Sequence, residues 1–140
     1  MTVSVTAGAS PLAKLGFVEG QVIQEFGYDD DVDDDLRFAI EELVGGELED
    51  EDFNDGADGV IVWYRDGDDD LADLMVDAIT KLFDAGFVVL FTPKAGRPGY
   101  VQASEIEEAA STAGLVTASP VNASKEWAAT RLMPPKGIRR

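Results

Sequence analysis

The chain has 140 residues, 45% of them hydrophobic, and a net charge of −17 from 28 acidic against 11 basic side chains. That length and apolar content supply one core, enough to bury about two-thirds of the surface of the unfolded chain. The absence of cysteine and histidine excludes disulfides, thiolate and imidazole metal ligands, cysteine nucleophiles, serine–histidine catalysis and histidine acid–base chemistry.

The charge is unevenly placed. Residues 1–73 hold 22 acidic and 3 basic residues, whereas residues 74–140 hold 6 and 8, giving −19 and +2. A strongly negative side repels phosphate backbones and attracts basic surfaces, so a basic protein partner is expected and direct nucleic-acid binding is not. The start, MTVSVTAGASPLAKLGF, lacks a basic segment followed by a long apolar one. No wholly apolar run is longer than Phe87–Phe91, far below the roughly 20 residues that span a bilayer. The expected location is the cytoplasm, without a membrane anchor.

Residues 1–13 show no periodicity and contain Pro11, which reads as a flexible N-terminal arm. Gln21–Phe26, β-branched and aromatic between Gly20 and Gly27, reads as a first strand. Next comes YDDDVDDDL, residues 28–36, with six carboxylates in nine positions. Val32, Leu36, Ala39, Ile40 and Leu43 recur on one helical face and Gly45-Gly46 follows. The spacing predicts a helix that starts near Val32, with Asp29, Asp30 or Asp31 as its N-cap.

Residues 47–59 are a polar connection with a short extended piece around Leu48. Val60–Tyr64 is a continuous apolar run, as in a strand covered on both faces. After the acidic entry Asp66–Asp70, a stripe from Leu71 to Phe83 predicts a second helix with Gly86 as its C′ residue. Phe87–Phe91 predicts a third strand, and the strand–helix–strand order predicts parallel pairing. Ser104-Glu105-Ile106-Glu107 has the form of a capping box for a third helix ending at Gly114. Leu115–Val121 and Glu126–Met133 predict two antiparallel strands, and residues 134–140 a basic flexible tail. The expected architecture is a single α/β domain over residues 14–133. It is a three-layer, Rossmann-like sheet, mostly parallel, with a C-terminal antiparallel strand pair.

The stretch from Ala57 to Lys94, followed by Ser104–Leu115, resembles the second half of a Rossmann-like methyltransferase. Val18–Gly27 is similar to the first strand of that fold, with its acidic-x-Gly end. The chain is also identified as a member of an actinobacterial family, domain of unknown function 3052. The identifying residues are Lys14–Phe17, the Asp-Val-Asp-Asp-Asp-Leu-Arg run at 31–37, Trp63-x-Arg65-Asp66, Thr92–Arg97 and the Trp127–Leu132 region. That resemblance implies a small cytoplasmic protein and carries no activity. A methyltransferase loop needs several glycines after the first strand so that backbone can approach the cofactor. Here Gly27 is followed by Tyr28, Asp29, Asp30 and Asp31, so no cofactor is expected.

The acidic runs also fail the calcium-loop register, which needs Gly at position 6 and Glu at position 12. Counting from Asp29, Asp66 or Asp50 puts Asp34, Leu71 or Asp55 at the sixth position, so no metal site is expected. Residues 92–100 follow a strand end facing the usual ligand crevice of an α/β sheet. There Lys94, Gly96, Arg97 and Tyr100, with Arg65 from the preceding strand, form a candidate anion site. In the competing reading, Lys94 and Arg97 pair with neighbouring acidic loops. The expected function is a non-catalytic methyltransferase-like domain that binds a protein through an acidic surface at Asp29, Asp30, Asp33 and Asp34. The alternative is a small enzyme or sensor holding a phosphorylated or carboxylate ligand at residues 92–100.

Overall fold

The computed structural model describes residues 12–135, so the proposed arm and basic tail lie almost wholly outside the described residues. Leu12, the first described residue, is fully buried and belongs to the core. Six strands form one sheet: β1 (Ile23–Phe26), β2 (Ala57–Trp63), β3 (Leu82–Pro93), β4 (Val116–Thr117), β5 (Val121–Asn122) and β6 (Trp127–Met133). Their spatial order is β1-β2-β3-β6-β4, with β5 also on β6. β1, β2 and β3 pair in parallel, Glu25 beside Ile61 and Ile61 beside Val89. β6 runs antiparallel to β3 and also takes β4 and β5. Pro120 lies between β4 and β5 and has no amide hydrogen to donate to a ladder, so the outer strand is in two short pieces.

Among the described residues, three helices cover the sheet: α1 (Asp34–Val44), α2 (Leu71–Thr80) and α3 (Ala103–Ala113). α1 and residues 12–17 pack on one face, where Leu36, Ile40 and Val44 meet Ile23, Ile61, Trp63 and Val89. α2 and α3 pack on the other, against Val60, Val62, Val88, Leu90 and Leu132. Apart from Thr92, β2 and β3 are apolar along their buried lengths because both of their faces are covered.

The helix ends differ from the sequence expectation in three places. The N-cap of α1 is Asp33, whose side chain accepts from the Leu36 N–H, rather than Asp29, Asp30 or Asp31. α2 ends at Thr80, and Leu82 and Phe83 leave the helical stripe because Leu82 pairs with Ala57 on β2. The left-handed turn then falls at Ala85, with φ 69°, and Gly86 is not a helix cap. Ser104 lies inside α3, whose N-cap is Gln102 with no side-chain hydrogen bond, so the capping box does not form.

The free edge of β1 is covered by residues 48–53. Glu25 N–H donates to Glu49 O, and Glu49 N–H donates to Ile23 O. The fully buried Gln24 side chain donates to the Asp50 and Phe53 carbonyls, 2.9 Å each. This satisfies a strand edge that would otherwise be open to pairing with another chain.

Ala85 carries a β-carbon yet is held in the left-handed region, which costs a non-glycine residue about 1 kcal/mol. The substitution Ala85→Gly is expected to raise the urea midpoint, by an amount reduced by the extra freedom glycine gives the unfolded chain. A lowered midpoint would show that the turn carries no such strain.

Candidate functional site

The carboxyl ends of β1, β2 and β3 meet at one end of the sheet, where α/β folds place their ligands. Two arginines organise that end. Arg37 on α1 donates from Nε to Glu25 Oε2 at 2.7 Å and from Nη2 to Oε1 at 2.9 Å. The Trp63 indole N–H donates to the same carboxylate at 2.8 Å. Glu25 is 7% exposed, so these three hydrogen bonds are what make its burial tolerable. Arg37 also covers the Tyr28 ring at 4.7 Å.

Arg65, the second residue after β2, reaches across to the loop that follows β1. Its Nε donates to Asp31 Oδ2 at 3.0 Å and its Nη2 to Asp31 Oδ1, a bidentate fork. Its Nη1 donates to Gly27 O at 2.9 Å and Trp63 O at 3.1 Å and lies 3.5 Å from the Asp68 carboxylate. The guanidinium lies over Trp127, 5.6 Å from the ring centre. Hydrogen bonding to Arg65 holds the Asp31 carboxyl below its ordinary pKa, against a smaller opposing effect of partial burial.

Gly27 is required at its position. Its φ is 80°, and a β-carbon there would stand 2.3 Å from the Trp63 carbonyl oxygen. Its N–H donates to Glu51 Oε2 at 2.8 Å, and its carbonyl is taken by Arg65. In a methyltransferase, backbone at this turn approaches the cofactor; here both backbone groups of the single glycine are bound to the protein's own side chains. The next residues are tied down by the Asp31 fork. The residues present therefore do not fit S-adenosylmethionine.

The sequence-predicted anion residues separate. Arg65 is committed to Asp31, Asp68 and two carbonyls. Arg97 pairs with Glu126 at 3.3 Å, as the competing reading expects. Gly96 lies in an open turn with φ 87°. Lys94 is half-buried and makes no ion pair among the described residues. It lines one cleft together with Tyr100. Of the partner-surface residues, Asp29 and Asp30 are exposed, Asp33 caps α1, and Asp34 lies 3.4 Å from Arg37. Among the described residues, no group of three or more acidic side chains is arranged to hold a metal ion, and no helix is long and apolar enough to cross a membrane.

The Glu25–Arg37–Trp63 cluster is a feature that sequence reasoning missed. The available signal was the pair Gln24-Glu25 inside an otherwise apolar strand, since a carboxylate in a buried strand requires a partner.

The fold is a Rossmann-like, methyltransferase-like α/β architecture in which the turn after β1 is bound by the protein's own side chains. It is similar to precorrin-6y C5,15-methyltransferase from Geobacter metallireducens, with TM-score 0.64 and 12% identity over 91% of this chain and 87% of that one. A SAM-dependent methyltransferase from Aquifex aeolicus gives TM-score 0.57 and 12% identity over 96% and 93% of the two chains. An uncharacterized protein of Mycobacterium tuberculosis is 53% identical over 123 residues, 88% of this chain and 77% of the relative. The chain belongs to the family described as Protein of unknown function (DUF3052), whose profile matches residues 12–136.

The two arginines can be tested through their partners. Arg37→Met leaves Glu25 buried with only the indole N–H, and is expected to cost about 3 kcal/mol in chemical denaturation; a loss no larger than that of an exposed ion pair would contradict the assigned role. Asp31→Asn removes a half-exposed carboxylate screened by solvent and is expected to cost about 0.5–1 kcal/mol at neutral pH. Because the folded pKa of Asp31 is depressed, its contribution is present above the unfolded value of about 3.9 and is lost as the pH falls through the lower folded value. The stability curves of the wild type and the Asp31→Asn variant should therefore converge in acid.

Proposed function

We propose that this protein is a non-catalytic, methyltransferase-like module that binds a basic segment of a cytoplasmic protein partner at the carboxyl end of β1 and β2. The observation that carries this reading is the Arg65 strap, which commits the turn a cofactor would need and leaves the surrounding carboxylates facing outward. Beside the strap is an open cleft of about 440 Å³, lined by Tyr28, Asp29, Glu51, Asp68, Asp69 and Leu74 among others. Tyr28, 55% exposed, can offer a lysine or arginine the ring face opposite Arg37, and the carboxylates offer the counter-charge. The same carboxylates repel nucleic-acid phosphates.

Net charge alone attracts basic proteins, so the test must separate the rim from the total. A photo-crosslinking residue at position 28 in the full chain, exposed to an actinobacterial lysate, would capture the partner. Its affinity would then be measured against two variants that each lose four charges. Asp29→Asn/Asp30→Asn/Asp66→Asn/Asp69→Asn alters the rim, and Glu42→Gln/Asp77→Asn/Asp84→Asn/Glu108→Gln alters exposed positions elsewhere. The rim variant is expected to weaken binding about tenfold or more and the control by about twofold or less. Equal losses would reduce the interaction to bulk charge and sink the reading.

A further inference from the structure

The α3 side of the sheet carries a second cleft, about 180 Å³ in volume, under the loop after β3 and against the start of α3. It is built from β3, β6, α3 and the β4–β5 edge and is separate from the acidic cleft beside β1. Thr92 and Thr130, diagonal neighbours across β3 and β6, form its floor and are 3% and 4% exposed. Neither threonine hydroxyl makes a hydrogen bond to the described protein, and neither is sealed from the cleft as a wholly buried orphan. Both threonines are more than nine-tenths buried, and their unpartnered hydroxyls open into the same space.

The first turn of α3 adds a second feature. Its N-cap, Gln102, makes no side-chain hydrogen bond, and Ala103 lines the cleft, so the first N–H groups of an 11-residue helix lack a capping side chain there. Such a terminus favours negative charge. Lys94, free of ion pairs among the described residues, and the Tyr100 side chain stand at the same cleft. Pro93, Val101, Ile106 and Pro120 supply an apolar part of the wall, beside Thr117 and Glu107.

We propose that this cleft binds a small monocarboxylate with a compact apolar body. The carboxylate lies between Lys94 and the uncapped start of α3, the hydrocarbon part lies against Val101, Ile106 and Pro120, and the two threonine hydroxyls serve an oxygen substituent. One lysine, with Glu107 also on the rim, suits a single negative charge better than a phosphate dianion. The volume is below the roughly 300–1,000 Å³ of drug-sized sites, which limits the ligand to one ring or one branched chain. The site is independent of the acidic rim and stands or falls separately from the partner reading.

The test is a titration of the isotope-labelled full chain, followed by NMR, with benzoate and 4-methyl-2-oxopentanoate as probes and benzamide and inorganic phosphate as comparisons. A carboxylate is expected to shift Thr92, Ile106 and Thr130 with a dissociation constant of about 1 mM or lower, and benzamide to bind about tenfold more weakly. Lys94→Met should cost about tenfold for the carboxylates and leave benzamide unchanged, while Arg97→Met should leave both unchanged. Ile106→Phe, which fills the cleft, should abolish the shifts. The absence of shifts at these residues up to about 10 mM ligand would overturn the proposal. Phosphate binding as tightly as benzoate, or carboxylate affinity indifferent to Lys94, would do the same. The benzoate–benzamide comparison uses the unaltered chain, so it decides the question even if a variant fails to fold.

Discussion

The Arg65 guanidinium is the point on which this end of the molecule depends. One planar group engages a carboxylate, two backbone carbonyls and an aromatic face, and in doing so joins the loop after β1 to the end of β2 and the start of β6. Lysine would not replace it, because a single ammonium cannot present the fork that Asp31 takes. The 92–100 loop is drawn into the same arrangement, since the Asp66 N–H donates to Gly99 O and a β-carbon at Gly99 would press on the Arg65 stem at 3.0 Å. Three loops that surround an open crevice in a ligand-binding α/β sheet are thus held to one another by side chains of the protein itself.

The other departure from a full doubly wound sheet is at β1. In the 3-2-1-4-5-6 order, two further strands lie outside the first. Here β1 is the sheet edge, and beyond it is a single bridge, Gln24 to Glu49. Residues 48–53 satisfy the exposed hydrogen-bonding groups without extending into a strand, and the Gln24 side chain does for that loop what ladder bonds would do for a neighbour. The shortened connection also brings Glu51 to the Gly27 amide. The same loop thus covers the β1 edge and occupies the turn after β1.

The periodic signals in the sequence located the three helices, the apolar strands and the antiparallel pair, because each reflects a face repeating over several residues. Helix ends were less legible. Asp33 caps α1 in preference to its neighbours because Leu36 must reach the core, and Leu82 leaves α2 because β2 offers it a partner. Such choices are made by tertiary contacts that a window of sequence does not contain. The site was least legible for the same reason. In the sequence Arg65 reads as a free cation beside Lys94 and Arg97, yet its partner Asp31 is 34 positions away, inside a run whose six aspartates look alike. The family residues at 31–37 and at 63–66 include both halves of the strap, Asp31 with Arg65 and Arg37 with Trp63, so their resemblance marked a structural device without disclosing its geometry.

The committed arginines also change the meaning of the charge asymmetry. Of the three cations in residues 1–73, Arg37 and Arg65 are turned inward onto Glu25, Asp31 and Asp68, and only Lys14 lies exposed. Each arginine neutralises carboxylates that are partly or wholly covered, and contributes little positive potential to the outer surface. Asp29, Asp30, Asp66 and Asp69 face solvent without an ion pair among the described residues, so mutual repulsion there is relieved mainly by water and mobile ions. On the second half, Arg131 is likewise internal, donating to Leu15 O and covering Phe87, while Lys94 keeps its charge available at a cleft. The aspartate run is best understood as two populations: Asp31 and Asp33 hold the fold, and Asp29 and Asp30 set the potential of the surface.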